Sequence, residues 1–216
     1  MFRDRSEAGE LLAAALDFLR GRDDVIVLGI PRGGVVVAAE VARALGAPLD
    51  LWFAHKIGAP GNPEFAIGSV AETGDAQFDP SIVSALQVSR DYLESEIAEQ
   101  RAEIARRAAR YRGNRPRLDV AEKVVVVVDD GLATGSTALA ALKSLRAQNP
   151  AQLILAAPVA PPEVSARLAA FAGKLVVLHA PPGFRAVGQR VEDDELVCEC
   201  REPRAYLRRR DGRGED

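Results

Sequence analysis

The chain has 216 residues, enough for one good-sized domain and too few for two ordinary ones. Hydrophobic residues make up 48% and aromatics only 5%, so the core has to be built from Ala, Val and Leu, the balance of an α/β protein whose buried parallel strands read as aliphatic runs. A net charge of −3 with 27% charged residues argues against a general nucleic-acid binder, while leaving room for a local basic site that takes a phosphorylated ligand.

In chain order, "EAGELLAAALDFLRG" (7–21) has helical periodicity and stops on Gly21. "VIVLGI" (25–30) predicts a short buried strand, after which "PRGG" turns into "VVVAAEVARALG" (35–46), a helix closed by Gly46. "PLDLWFAHKIG" (48–58) reads as a second strand running into a loop rich in Gly, Pro and Asn as far as Pro63. "FAIGSVAETG" (65–74) reads as extended, an antiparallel excursion. Over about 82–112 the chain is strongly helical, with 91–112 as a long flank. There Leu93, Ile97, Ile104, Ala108 and Tyr111 share one face, and Glu99, Glu103, Arg106 and Arg107 lie elsewhere. A helix so laced with charge packs on one side and is solvated on the other, and no chemistry is assigned to it.

"KVVVVVD" then predicts a central strand, "GSTALAALKSLRAQ" a helix, "QLILAAPVA" a strand, "PPEVSARLAAFAG" a helix and "KLVVLHA" a strand. This alternation means crossover units: a three-layer, doubly wound α/β fold with a mainly parallel sheet, expected as a single domain over 1–216. The charged tail "REPRAYLRRRDGRGED" reads as a fraying end with solvated arginines. Cys198 and Cys200 form a lone C-x-C, and His55 and His179 are isolated; all four read as structural or incidental rather than as metal ligands. "MFRDRSEAGELL" has no apolar core of signal-peptide type, and no apolar run approaches membrane-spanning length. A cytoplasmic protein with reduced thiols is expected, with small-molecule partners and neither nucleic acid nor membrane. A homodimer is left open.

The chemistry concentrates in "VVVVVDDGLATGSTAL" (124–139). In open α/β sheets ligands sit beyond the C-terminal ends of the strands, and Asp129 and Asp130 stand at one such end. The loop that follows leads straight into a helix: glycines let the backbone approach an anion, and free N–H groups with the helix dipole favour phosphate. Thr134, Ser136 and Thr137 add hydroxyl donors. The loop fits a phosphate, and the carboxylates before it fit the hydroxyls of an attached sugar. No Lys follows the second glycine, so this is not a Walker loop, and the acidic residues precede the turn, unlike a dinucleotide fingerprint.

An aliphatic strand, two acidic residues and a Thr-Gly-x-Thr type loop resemble the phosphoribosyl-pyrophosphate motif of type I phosphoribosyltransferases, and more narrowly a bacterial subgroup with "GAPGNPE" and "DDGLATG" loops. The resemblance runs over about 2–179 and implies roles residue by residue. Asp129 and Asp130 would hold the ribose hydroxyls and orient Mg²⁺, mainly through those hydroxyls or water. Ala133, Thr134, Gly135, Ser136 and Thr137 would bind the 5-phosphate. Arg32, Gly33 and Gly34, in the "PRGG" turn after the first strand, would take the pyrophosphate, as would Lys56 at the end of the second strand. Of these, Lys56, Arg32, Asp129 and Asp130 form the expected catalytic set. The Gly/Pro-rich segment after Lys56 is similar to the family's mobile loop, which keeps water from an oxocarbenium-like sugar. Residues from about 180 to 216 occupy the region of the family's base-recognising hood, with Phe184 a candidate stacking residue. One departure stands out: Ala133 takes the place where purine-salvage members carry an aspartate for proton handling, so that route is closed. The implied activity is transfer of a 5-phosphoribosyl group from phosphoribosyl pyrophosphate to a nitrogen acceptor. The alternatives are a non-catalytic sensor of that compound or a nucleotide, and hydrolysis of a phosphosugar.

Overall fold

A computed structural model describes residues 2–181, apart from the side chain of Glu64. The expected hood and tail from 182 onward, with Phe184, Cys198 and Cys200, lie outside the described residues. The chain runs through α1 (Arg5–Ala15), a 3-10 turn (Asp17–Leu19), β1 (Val25–Gly29), α2 (Gly34–Leu45), β2 (Leu49–Leu51), β3 (Ala54–Ala59), β4 (Asn62–Ala71) and β5 (Ala76–Phe78). Next come α3 (Pro80–Ala85), α4 (Arg90–Arg112), β6 (Val124–Val128), α5 (Ser136–Arg146), β7 (Gln152–Val159), α6 (Pro162–Ala169) and β8 (Lys174–His179).

The main sheet is parallel in the order β2-β1-β6-β7-β8. Its centre is β6, five consecutive valines buried on both faces. Side chains alternate across a strand, so Val125 and Val127 join Leu142 and Leu145 of α5 and Leu168 of α6. Val124, Val126 and Val128 face the other way, onto Leu12 and Leu16 beside Val37, Val41 and Leu45 of α2. That division produces the expected three layers, helices on both faces of a parallel sheet. Fully burying a valine contributes about 1.5–3 kcal/mol, so β6 alone anchors both layers. No helix among the described residues is long and apolar enough to cross a membrane.

Three expected elements are corrected. The predicted strand over 48–58 is split: β2 belongs to the main sheet, whereas β3 begins an antiparallel sheet of its own, β3-β4-β5. Trp52 and Phe53 force the break, because both are buried and they enter different cores. The segment read as a Gly/Pro-rich loop up to Pro63 is the tip of the β3–β4 hairpin, turning at Pro60 and Gly61. The long helical stretch is also two helices, since Gln87 adopts φ 49° and Ser89 starts α4 afresh by accepting from Tyr92 N. The apolar face of α4 lies where periodicity put it: Ile104 is buried, with Leu93, Ile97, Ala108 and Tyr111 packed around it against the second sheet. On its outer side Glu103 accepts from Arg106 and Arg107, which hold its carboxyl down at about 2.

A buried charge cluster ties the two sheets. Arg112, the last residue of α4, donates to Asp50 of β2 at 2.8 Å, to Glu72 beyond β4 at 2.9 Å and to the Leu51 carbonyl at 2.9 Å. Burial pushes the Glu72 carboxyl above its ordinary range, and Arg112 pulls the other way. From β1 the chain passes outward to β2, and β6 then pairs on the opposite side of β1. The crevice at the C-terminal ends of β1 and β6 is therefore the topological switch point, where α/β sheets bind ligands.

Candidate functional site

Gly29 of β1 is in register with Val128 of β6, so the turns that follow the two strands emerge side by side. One is Pro31–Gly34, which contains a cis Pro31–Arg32 peptide and starts α2; the other is the acidic pair. Contact between them dictates the two glycines. A Cβ on Gly33 would land inside the Asp130 carboxylate, and one on Gly34 would lie 2.7 Å from the Val128 carbonyl oxygen and 2.9 Å from the Asp129 Cα. Glycine is needed here for close approach, whatever else the turn binds.

The two carboxylates have different surroundings. Asp129 accepts from the Asp130 amide at 2.9 Å. Burial, and then the charge of Asp130, hold its carboxyl well above the usual range, with Arg5 opposing. Asp130 is engaged by Arg5: Nε and Nη2 each lie 2.7 Å from Oδ2, with the side chains 22% and 15% exposed. Exposure that low separates this pair from ordinary surface ion pairs.

Beyond the pair, Leu132 tucks into the core and Ala133 is half-buried. Gly135 takes φ +64°, the left-handed conformation, to start α5, and no side chain caps that helix. Thr134 Oγ1 lies 3.2 Å from Ser136 Oγ and 3.4 Å from the Ser136 amide, while Thr137 is exposed. Hydroxyls and amides thus gather on one short arc. Arg167 of α6 donates to the Thr134 carbonyl and braces the arc from behind.

Lys56 needs correcting. It is not at the end of a strand of the main sheet but inside β3, opposite Ser69 of β4. It lines a cleft of about 250 Å³ between the second sheet and α5, together with Ser136, Gln77, Asp79, Lys143 and Arg167. Arg32, Gly33, Gly34, Asp129 and Asp130 do not line that cleft. The expected site residues therefore form two groups. The glycine turn meets the acidic pair at the switch point, and Lys56 shares its cleft with Ser136 of the 134–137 arc. Among the described residues no three His, Cys, Asp or Glu side chains gather as a metal cluster. His55 Nδ1 donates to Gln100 Oε1 of α4 at 3.0 Å, and burial lowers its basicity; His179 meets Phe2 edge-on at 5.1 Å.

Sequence reasoning missed Arg5 and Arg167. Each arrives from a distant helix, and neither carries a local signal.

Comparison with known proteins identifies the family to which the chain belongs. Residues 6–169 match the family described as the phosphoribosyl transferase domain. Two Mycobacterium tuberculosis proteins, from strains CDC 1551 / Oshkosh and H37Rv, are each named "Putative phosphoribosyl transferase" and are 40% identical over 204 residues, 92% of this chain. The chain spans 46% of the length of those relatives. The crystal structure of TT1426 from Thermus thermophilus superimposes with a TM-score of 0.77 at 49% identity, covering 87% of this chain and 88% of that one. With a match that runs from α1 to the end of α6, the chain belongs to the phosphoribosyl transferase domain family.

Proposed function

We propose that this protein, as one phosphoribosyltransferase-like domain, transfers a 5-phosphoribosyl group from phosphoribosyl pyrophosphate to a nitrogen acceptor, a nucleobase or related compound, and so serves nucleotide metabolism. The observation that carries the reading is the meeting of the glycine turn with the acidic pair at the switch point, one short loop from the Thr134–Ser136 arc. A diphosphate, a diol and a terminal phosphate are the three groups such an arrangement suits. Asp129 and Asp130 accept from the ribose hydroxyls, and amides and hydroxyls over Ala133, Thr134, Gly135, Ser136 and Thr137 donate to the 5-phosphate. Arg32 and the Gly33 and Gly34 amides take the pyrophosphate. We assign Lys56 to the same pyrophosphate, and to the β3–β4 hairpin that carries it the part of a cover that excludes water.

In the reaction the bond from the ribose C1 to a pyrophosphate oxygen breaks, its electron pair leaving with pyrophosphate, and a bond from C1 to the acceptor nitrogen forms. Rate enhancement comes from positioning and from charge stabilisation of the leaving group, with no covalent nucleophile. Ala133 takes no proton, so the acceptor loses its proton to solvent or to a group elsewhere. The acidic pair offers the hard carboxylate oxygens Mg²⁺ prefers, too few to cage the ion alone but enough for one arriving with a diphosphate. Bound there, Mg²⁺ would neutralise charge on the leaving group.

The test is incubation with phosphoribosyl pyrophosphate, Mg²⁺ and a panel of nitrogen bases while pyrophosphate release is measured. Release dependent on one base supports the transferase. Tight binding with no release under any base would make the protein a sensor, and release without any acceptor would make it a hydrolase.

A further inference from the structure

Arg5 is the first residue of α1, immediately after the N-cap Asp4. A cation there works against the helix dipole, whose N-terminal end carries partial positive charge. The helix itself gains nothing from an arginine at this place. What the side chain does instead is reach Asp130, 125 residues away in sequence, with two donors on one carboxylate oxygen. Phe2 packs on His179 at the end of β8, and Arg5 reaches Asp130 just after β6, so residues 2–5 run along the C-terminal edge of the sheet between these strands. The same carboxylate also packs so closely on Gly33 that no Cβ would fit there.

Charge argues in the same direction. Adjacent carboxylates in a half-buried crevice repel any ligand that carries phosphate groups, and a guanidinium on one of them removes much of that repulsion. A carboxylate also has more acceptor sites than Arg5 uses, so one held by a guanidinium can still accept from a hydroxyl. We propose that Arg5 is a positioning residue of the phosphoribosyl site, holding Asp130 toward the ribose diol and supplying the countercharge that lets an acidic pair take an anionic ligand. This rests on the reading of Asp129 and Asp130 as the diol-binding pair.

The experiment measures equilibrium binding of phosphoribosyl pyrophosphate with Mg²⁺, of ribose 5-phosphate and of 2-deoxyribose 5-phosphate. The proteins are the full chain, Arg5→Gln, Asp130→Asn and the double variant. A charge-assisted contact of this kind implies that Arg5→Gln weakens phosphoribosyl pyrophosphate binding by about tenfold or more. On the Asp130→Asn background the same change should have an effect of less than about threefold, because the two residues act as one unit. The preference for ribose 5-phosphate over its 2-deoxy analogue should fall in Arg5→Gln. An arginine that merely tethers α1 would lower both affinities alike, and that result, or no change at all, overturns the proposal. If Asp130→Asn binds phosphoribosyl pyrophosphate as tightly as the wild type, the diol assignment itself fails. If Asp130→Asn is weakened and Arg5→Gln is not, only the role of Arg5 falls. Should Arg5→Gln not fold, Arg5→Lys takes its place with the same sugar preference as readout: a reduced preference supports the role and an unchanged one overturns it.

Discussion

Two neighbouring glycines should respond to alanine in opposite ways. At Gly33 the backbone is ordinary helical, φ −62° and ψ −40°, so alanine meets no conformational penalty. Such a change normally stabilises a protein by about 0.4–1 kcal/mol, through the unfolded chain. What the new methyl would strike is the Asp130 carboxylate, the far end of a short side chain that can rotate away. The fold escapes cheaply and the site does not, because Asp130 leaves Arg5 and the place assigned to the ribose diol. Loss of one charge-assisted contact is about 1.5–3 kcal/mol, or roughly ten- to a hundredfold in affinity. At Gly34 the obstacles are the Val128 carbonyl and the Asp129 Cα, which are backbone of the central strand and its extension. Overpacking against atoms that cannot swing aside costs about 1–3 kcal/mol. Urea denaturation and calorimetric titration with phosphoribosyl pyrophosphate separate the cases. Gly33→Ala should lose binding with a smaller loss of stability than Gly34→Ala, because only a side chain has to move aside. Undiminished binding by Gly33→Ala, or equal stability losses in the two variants, would refute the reasoning.

Lys56→Ala should lower the maximal rate of pyrophosphate release more than it raises the dissociation constant, by about 2.7–4 kcal/mol of barrier if Lys56 meets the leaving group; equal turnover in steady-state kinetics would remove it from the mechanism. Arg167→Ala deletes the brace on the Thr134 carbonyl, so ribose 5-phosphate binding should weaken about tenfold, with the melting temperature little changed, because an exposed neutral-acceptor contact adds little to the fold. Arg112→Met strands Asp50 and Glu72, both buried, and should destabilise by about 3–5 kcal/mol at neutral pH in chemical denaturation. The sign with pH follows from Glu72, whose carboxyl is already raised by burial and rises further without Arg112. A folded-state pKa above the unfolded one means stability is lost as pH climbs through and above the usual glutamate range. The defect of Arg112→Met should therefore shrink at about pH 4, and a defect that grows on acidification would contradict the assignment.

The legible parts of this protein are those in which one segment carries its own reasons. Five valines can only be a strand buried on both faces, and "DDGLATGST" holds its acids, its left-handed glycine and its hydroxyls within nine residues. Even Gly33 and Gly34 are visible as glycines, although their reason, the pressure of Asp129 and Asp130 from another strand, is not. The antiparallel excursion is legible over 65–74, but the hairpin leading into it is not: Gly58 and Pro63 lie in its strands and Gly61 at its turn, local signals that tertiary pairing overrides with a register shift at Gly58. The segment over 48–58 reads as one strand for a related reason. Its hydrophobicity is continuous, and only the two cores waiting for Trp52 and Phe53 divide it.

Arg5 shows where such reading ends and what physics remains beyond it. In the sequence it is one charge in "FRDRSE", and every local rule sends it to solvent. Its position follows instead from α1 packing on α2, which brings the start of α1 to the edge where β6 ends. A motif records what must be close along the chain, and a countercharge has no such constraint: it need only reach the carboxylate in space. Charge balance is therefore the part of a site most free to come from elsewhere in the chain. An acidic pair that must accept an anion is a reason to look for a distant cation, and here the fold supplies one at 2.7 Å.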